Sequence, residues 1–162
     1  MSHLKYFNYP GWGEQWAETY SQAVRVGDRI ECAGQGAFAF PCLFVVPFLL
    51  AGVSVCADDS PGGWDPTTGA LSPDTSANAQ IEQAFKNVDI ALRHAGAAKG
   101  WNQVFRVTSY HIPLNGEVIE KMKSEFQKWM PDHRPIWTTI EVPKLGLESM
   151  KVEIEVVAHV GK

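Results

Sequence analysis

The chain has 162 residues, of which 45% are hydrophobic and 20% charged, values typical of one globular domain whose core needs no disulfide or metal support. Its formal net charge is −4, from 14 lysines and arginines against 18 acidic residues, and the sequence contains no basic cluster. We therefore expect no nucleic-acid partner, because neutralising a phosphate backbone requires clustered Lys and Arg.

The three cysteines, Cys32, Cys42 and Cys56, form no CxxC pair and have no histidine at zinc-ligand spacing. We interpret them as free thiols in a reducing compartment and expect neither a metal nor another cofactor. The N-terminal stretch has neither the hydrophobic core of a signal peptide nor the arginine-rich composition of a transit peptide. The sequence thus predicts a cytoplasmic protein that does not associate with membranes.

The first elements in chain order are two strands. The stretch YSQAVRV at 20–26 alternates and is rich in strand-forming residues. Gly27 and Asp28 form a typical hairpin turn, and RIECAGQ at 29–35 is the predicted returning strand.

A long helix follows at 81–95, where apolar residues recur at steps of three and four and form one stripe. Ser76 or Asp74 is the predicted N-terminal cap. Gly96 suits the left-handed conformation that ends many helices.

The second half of the sequence predicts a strand at 104–112 and a helix over EVIEKMKSEFQKWM, which Pro131 ends. Two further strands are predicted at 136–142 and 150–160. The order is strand, strand, helix, strand, helix, strand, strand, which favours an α+β sandwich with both helices on one face of the sheet.

Six stretches in this order resemble the Rid (YjgF-like) family of reactive-intermediate deaminases, also called L-PSP endoribonuclease-like: YSQAV, GQ, GGWDPTTG, AQIEQAFKNVDIALRHAG, RPIWTTIEVPKL and KVEIEVVAHV. The resemblance runs from about Tyr20 to the C-terminus, apart from one segment. It implies a chorismate-mutase-like α+β sandwich with a mixed sheet. It also implies a homotrimer with small-molecule pockets between subunits, so that residues 1–162 are a single Rid-like domain.

The segment outside the resemblance is an anomalous apolar insertion at 36–61. From Gly34 to Ala57 the chain carries no charge, although Pro41 and Pro47 interrupt the run. Family members run from GQ directly into GGWDP, and deleting the insertion restores that junction, with a one-residue ambiguity because glycine stands on both sides. A retained intron is the interpretation we favour. A lid over the pocket comes second, and a membrane span, which would separate a strand from its turn, comes last.

One site residue departs from the family pattern. The family holds the substrate carboxylate with an arginine in a motif like RPARTT, but this chain reads RPIWTT, so Trp137 stands at the arginine position. Arg134 points to the opposite strand face and is interpreted as a surface or intersubunit ion-pair residue. An indole favours a flat apolar ligand. We therefore expect little or no hydrolysis of 2-iminobutyrate and a gain in activity on 2-imino acids for Trp137→Arg.

The resemblance also implies the remaining site residues. Glu155 matches the acidic residue that positions or activates the hydrolytic water, although alternation alone would make it the polar face of a strand. Tyr20 matches the tyrosine that closes the pocket, and Gly34 matches a close backbone approach to the substrate. Ala33 stands where many relatives carry a serine, and Tyr110 near the end of the central strand is the last substrate-binding candidate.

The resemblance implies a hydrolase, deaminase or tautomerase that acts on an imine, an enamine or an aromatic metabolic intermediate, using Glu155 and bound water. Two alternatives stay open. One is a non-catalytic trimeric protein that binds small molecules, and the other is an endoribonuclease, which the net negative charge opposes. The sequence does not decide whether the chain is an enzyme.

Overall fold

In a computed structural model, the described residues 3–11, 13–36 and 74–161 form one six-stranded sheet and two α-helices. The strands are β1 Lys5–Phe7, β2 Ala23–Val26, β3 Arg29–Gly36, β4 Val104–His111, β5 Ile136–Glu141 and β6 Val152–His159. The helices are α1 Ala77–His94 and α2 Gly116–Trp129, with short 3-10 helices at Gly13–Trp16 and Gly100–Gln103. The predicted α+β class and element order are confirmed, and β1 is an additional strand.

The sheet is mixed, with the strand order β1-β2-β3-β6-β4-β5. Every neighbouring pair is antiparallel except β4 and β5, which are parallel and are connected by α2. This β4-α2-β5 unit needs a helix because parallel strands cannot be joined by a tight turn. β6, the last strand in sequence, therefore lies between β3 and β4 at the centre of the sheet.

Both helices begin at side-chain caps. The Ser76 hydroxyl accepts a hydrogen bond from the Ala79 backbone N–H at 3.2 Å, and Asp74 accepts one from the Ser76 N–H at 2.8 Å. Asn115 caps α2 by accepting from the Val118 N–H at 3.0 Å. These bonds satisfy N–H groups that have no partner within the helix, so the polar residues before each apolar stripe set where the helix begins.

The core lies between the helices and one face of the sheet. Phe85 of α1 stacks on Trp101 with ring centroids 4.4 Å apart, and the Trp101 indole donates to the Phe85 carbonyl at 2.8 Å. Alternate strand residues complete this layer: Ile30, Cys32, Val107, Val152, Ile154 and Val156. Because side chains alternate along a strand, the residues between them point to the opposite face, which no described helix covers.

The boundary of the apolar insertion shifts by one residue. Gly36 is the last residue of β3 and pairs with Glu153, so this first residue of the predicted insertion at 36–61 contributes to the sheet. Residues 36 and 62 are both glycine, so moving the insertion to 37–62 leaves the joined sequence unchanged. The rest of the predicted insertion, 37–61, lies outside the described residues. Among the described helices, none is long and apolar enough to cross a membrane.

Candidate functional site

A cleft of about 610 Å³ lies on the sheet face opposite the helices. Its walls come from β1, β2, β3, β4 and β6, together with the chain that leads into β2. Three of the residues predicted for the site, Tyr20, Ala33 and Glu155, line this cleft. Strand alternation explains the placement of the last two, because Ala33 and Glu155 each follow a residue that is buried under the helices.

Glu155 and Tyr110 meet beside this cleft. Thr108 pairs with Glu155 across β4 and β6, and Tyr110 is the next β4 residue on the same face. The Tyr110 hydroxyl donates a long hydrogen bond of 3.5 Å to Glu155 Oε2. Burial, and then the negative charge of Glu155, raises the pKa of Tyr110, so the phenol stays protonated and acts as a donor. The structure thus brings the predicted acid and one predicted tyrosine together.

Glu153 is a second carboxyl group on this face, and from the sequence alone it is only part of the polar side of a strand. It lies two residues before Glu155 on β6 and pairs with Tyr110. Burial, and then repulsion from Glu155, raises the pKa of Glu153. The alternation of KVEIEVV puts both carboxyl groups on one face of the sheet.

The Glu153 side chain covers Gly34. A Cβ added at Gly34 would collide with Oε1, Cδ and Cγ of Glu153. The predicted role of this glycine is a close approach to the substrate, whereas in the structure the space above it holds a side chain of the same protein. Gly34 is also absent from the cleft lining among the described residues.

Tyr20 forms the rim of the cleft at the loop before β2. Its ring lies 6.2 Å from that of Trp16, and 44% of the residue is exposed. Burial raises the pKa of Tyr20, a hydrogen bond with Gln22 opposes this shift, and the charge of Glu153 adds to it. The tyrosine therefore lies at the open cleft and near enough to Glu153 to be affected by its charge, and its role in closing the pocket stays a prediction.

Trp137 lies on the other side of the sheet. Its ring contacts Phe126 of α2 edge to face, with centroids 5.0 Å apart, and its indole N–H donates to Ser109 Oγ at 2.9 Å. The structure therefore does not bring Trp137 together with Glu155 within this chain. An indole packed under a helix cannot select flat ligands in the cleft, so that expectation loses its support.

Arg134 makes its hydrogen bonds within this chain to backbone carbonyls, and its interpretation as a surface or intersubunit ion-pair residue stays a prediction. Its guanidinium donates to the backbone carbonyls of Met130, Pro131 and His133 at 3.0, 3.2 and 2.6 Å. The last carbonyls of a helix lack partners inside it, and a cation near them is favourable. Arg134 therefore stabilises the end of α2.

A buried polar chain continues from Trp137. Ser109 Oγ lies 2.9 Å from His111 Nε2, and His111 is fully buried. Burial lowers the pKa of His111 to about 4, so the imidazole is neutral at physiological pH. Its Nδ1 has no hydrogen-bond partner within the described part of the chain. Nothing in the sequence indicates this arrangement, because it depends on the parallel pairing of β4 with β5.

Cys32 is buried, and burial raises its pKa to about 12, so its thiol is not a reactive nucleophile. This agrees with its interpretation as a small core residue. Within the described ranges, no three His, Cys, Asp or Glu side chains group as metal ligands would.

Residues 61–160 match the sequence model of the family described as Endoribonuclease L-PSP. This match covers more than half of the chain, and the chain belongs to that family. No curated protein matches the chain in sequence.

Solved structures of YjgF and RidA proteins share the fold. Yeast Mmf1 is 19% identical with a TM-score of 0.65, covering 98% of this chain and 99% of that one. Rv2704 from Mycobacterium tuberculosis, a YjgF family member, is 20% identical with a TM-score of 0.64, covering 97% and 99%. RidA from the Antarctic bacterium Psychrobacter is 22% identical with a TM-score of 0.62, covering 88% and 89%. The predicted Rid-like family and its chorismate-mutase-like fold are thus confirmed.

Proposed function

We propose that the chain is a Rid-like hydrolase that releases ammonia from a small imine or enamine in the cleft. The observation that carries this proposal is the carboxylate of Glu155, which lines a cleft of about 610 Å³ and accepts a hydrogen bond from Tyr110. A cleft of this size suits a metabolite, since small-molecule sites have volumes of roughly 300–1,000 Å³. Membership of the family supports a Rid-like or an endoribonuclease-like role, and the cleft favours the first.

The reaction needs a base and then an acid at one position. From the protonated imine, Glu155 takes a proton from water as the oxygen attacks the carbon, and the electron pair of the C=N bond moves to nitrogen, which becomes a neutral amine. Glu155 then gives its proton to that nitrogen, the C–N bond breaks, and the hydroxyl group loses its proton to Glu155 as the carbonyl forms. Ammonia takes this last proton as it leaves, so that protonated imine and water become a carbonyl compound and ammonium. Proton transfer by a positioned side chain contributes about 10²–10⁴-fold to such rates. Tyr110 orients the carboxylate through its hydroxyl.

An endoribonuclease is less well supported by the cleft. Its two carboxylates, Glu31 and Glu155, are matched in number by Arg29 and Arg106, so the lining offers no net positive charge to a polyanionic backbone. The formal charge of −4 acts in the same direction.

A homotrimer in the cytoplasm is the assembly and location that we propose with this activity. Val26, Ile136 and Ile140 are exposed by 41, 60 and 40%, and alternation places them on the uncovered sheet face. Exposed apolar side chains grouped on one surface are typical of a protein interface. A stable monomer in native mass spectrometry would contradict the trimer.

An ammonia-release assay on imines generated in solution tests the activity, with 2-iminobutyrate and a larger aromatic imine as substrates. Glu155→Gln should lower kcat by about 100-fold or more, because the amide cannot accept the proton. Glu120→Gln is the matched control: Glu120 lies on the outer side of α2 in an exposed pair with Lys123. Equal rates for wild type and Glu155→Gln, or no turnover by folded wild type, would overturn the proposal in favour of a binding protein.

A further inference from the structure

A second pocket lies at the end of the sheet where β4 begins and β6 ends, apart from the cleft that holds Glu155. Its volume is about 380 Å³, and its walls come from the 3-10 helix Gly100–Gln103, the first residues of β4, the loop after α2 and the end of β6. None of its lining residues belongs to the cleft. Small-molecule sites have volumes of roughly 300–1,000 Å³, so the pocket is large enough for a small metabolite.

The ionisable side chains that line this second pocket are all basic. They are Lys99, His133 and His159, and none of the described lining residues is acidic. The Lys99 ammonium group has no hydrogen-bond or ion-pair partner among the described residues. Within the same part of the chain, one carboxylate contacts these three side chains: Asp28 Oδ2 lies 3.0 Å from His159 Nε2. A pocket lined by one sign of charge attracts the opposite sign, so its ligand should be an anion.

Hydrogen bonds hold the three basic residues around this pocket. His133 Nε2 donates to the Val104 carbonyl at 2.7 Å, which leaves Nδ1 for a ligand. Gln103 connects the other two residues, because its Oε1 accepts from the Lys99 backbone N–H at 2.9 Å and its Nε2 donates to the His159 carbonyl at 3.4 Å. Three separate parts of the chain are thus held together without a ligand, which lowers the entropic cost of binding one.

A β-bulge adds an aromatic wall to the pocket. Val104 pairs with Ala158 and Arg106 pairs with Val157, so Phe105 is an extra residue of β4 without a partner on β6. Bulges of this kind redirect side chains. Phe105 lines the second pocket and is 40% exposed, so it presents an uncovered apolar ring beside the basic groups.

We propose that this pocket binds the phosphate group of a small phosphate monoester, with the carbon part of the ligand packed on Phe105. A phosphate group carries a charge of about −1.5 to −2 at pH 7 and three oxygens that accept hydrogen bonds. Lysine binds phosphate as a point charge, and protonated imidazoles add further donors. A carboxylate offers one charge and two oxygens and uses fewer of these groups. The inference goes beyond the proposed hydrolase and does not depend on it.

Calorimetric titration of the protein with phenyl phosphate and with inorganic phosphate tests the two parts of the ligand separately. Wild type should bind phenyl phosphate more tightly than inorganic phosphate. Lys99→Gln should raise the Kd for both by about 10-fold, the usual effect of losing a charged hydrogen bond. Phe105→Ala should raise the Kd for phenyl phosphate by about 3- to 10-fold and leave that for inorganic phosphate unchanged. Lys123→Gln, which removes the same charge from the outer side of α2, should bind like wild type.

Sulfate tests the contribution of the histidines, because its own charge is constant near neutral pH. Histidine is the side chain whose charge changes between about pH 5 and 8, so wild type should bind sulfate more tightly at about pH 6 than at about pH 8. The charged groups beside His133 and His159 are Lys99 and Asp28, and neither changes its charge type in this interval. The difference between the two pH values should shrink in His133→Gln.

Two results would overturn the inference. One is an equal Kd for phenyl phosphate in wild type and Lys99→Gln, or no binding of phenyl phosphate by folded wild type. The other is a loss of affinity in Lys99→Gln that Lys123→Gln shares, because the effect would then come from the net charge of the protein. A loss confined to Lys99→Gln and Phe105→Ala would support the pocket as the binding site.

Discussion

Substitutions of Trp137 test whether this side chain packs on the helix side of the sheet or contacts the substrate. The structure gives its indole two interactions on the helix side, an edge-to-face contact with Phe126 and a hydrogen bond to Ser109. An aromatic pair of this kind contributes about 0.5–1.5 kcal/mol beyond its buried area. A hydrogen bond contributes about 1 kcal/mol.

Two substitutions separate these contributions. Trp137→Phe keeps an aromatic ring but loses the N–H donor, so it should lower the free energy of unfolding by about 1 kcal/mol. Trp137→Arg loses both interactions and places a guanidinium against an apolar layer. The cost should be about 3 kcal/mol, near the lower end of values for removing a large aromatic residue, because Trp137 is only half-buried.

Urea unfolding followed by far-UV circular dichroism measures these differences. The matched control is Gln127→Arg, an exposed position on α2, which should change stability by less than about 0.5 kcal/mol. If Trp137→Arg keeps wild-type stability and gains activity on 2-iminobutyrate, the indole does not pack on the helix side of the sheet. The prediction made from the family motif, that residue 137 contacts the substrate, would then be correct.

Three further predictions concern pH, the Glu153 contact and the insertion. Because the pKa of His111 is lowered to about 4, the unfolded chain binds more protons than the folded one between pH 4 and about 6.5, so stability should fall by up to roughly 3 kcal/mol as the pH drops through that window. His111→Gln should flatten this slope in urea titrations, and an unchanged slope would contradict the assignment. Gly34→Ala should lower the free energy of unfolding by about 1 kcal/mol, because the added methyl group displaces the Glu153 side chain. In a double-mutant cycle this loss should disappear when Glu153 is also replaced by alanine, whereas additive losses would show that the two residues do not interact. The full chain should express in insoluble form because of its uncharged apolar insertion, whereas the version without 36–61 should be a soluble trimer by native mass spectrometry. If the full chain is a soluble trimer and its transcript contains these codons, the insertion is better explained as a lid than as a retained intron.

The fold was largely predictable because hydrophobic periodicity reports which face of each element is buried. The stripe that buries Ile81, Phe85 and Leu92 located α1, and the capping residues located its start. The predicted strand at 20–26 was too long, since β2 begins at Ala23. β1 was missed because its three residues are too few to show alternation.

The site was predictable only where the side-chain direction follows from one strand. Alternation along β6 puts Glu155 on the sheet face that carries the cleft, and its role in the reaction stays a prediction. Trp137 was assigned to the same site from the family motif, but its direction depends on the contact with Phe126 and the hydrogen bond to Ser109, which come from other elements.

A crystal structure of the protein with 2-oxobutyrate, the stable keto acid that corresponds to 2-iminobutyrate, would locate the site directly. We expect the keto acid in the cleft on the sheet face opposite the helices. Its carbonyl carbon should lie beside the Glu155 carboxylate. A keto acid bound on the helix side next to Trp137, with the cleft around Glu155 empty, would contradict the proposed site.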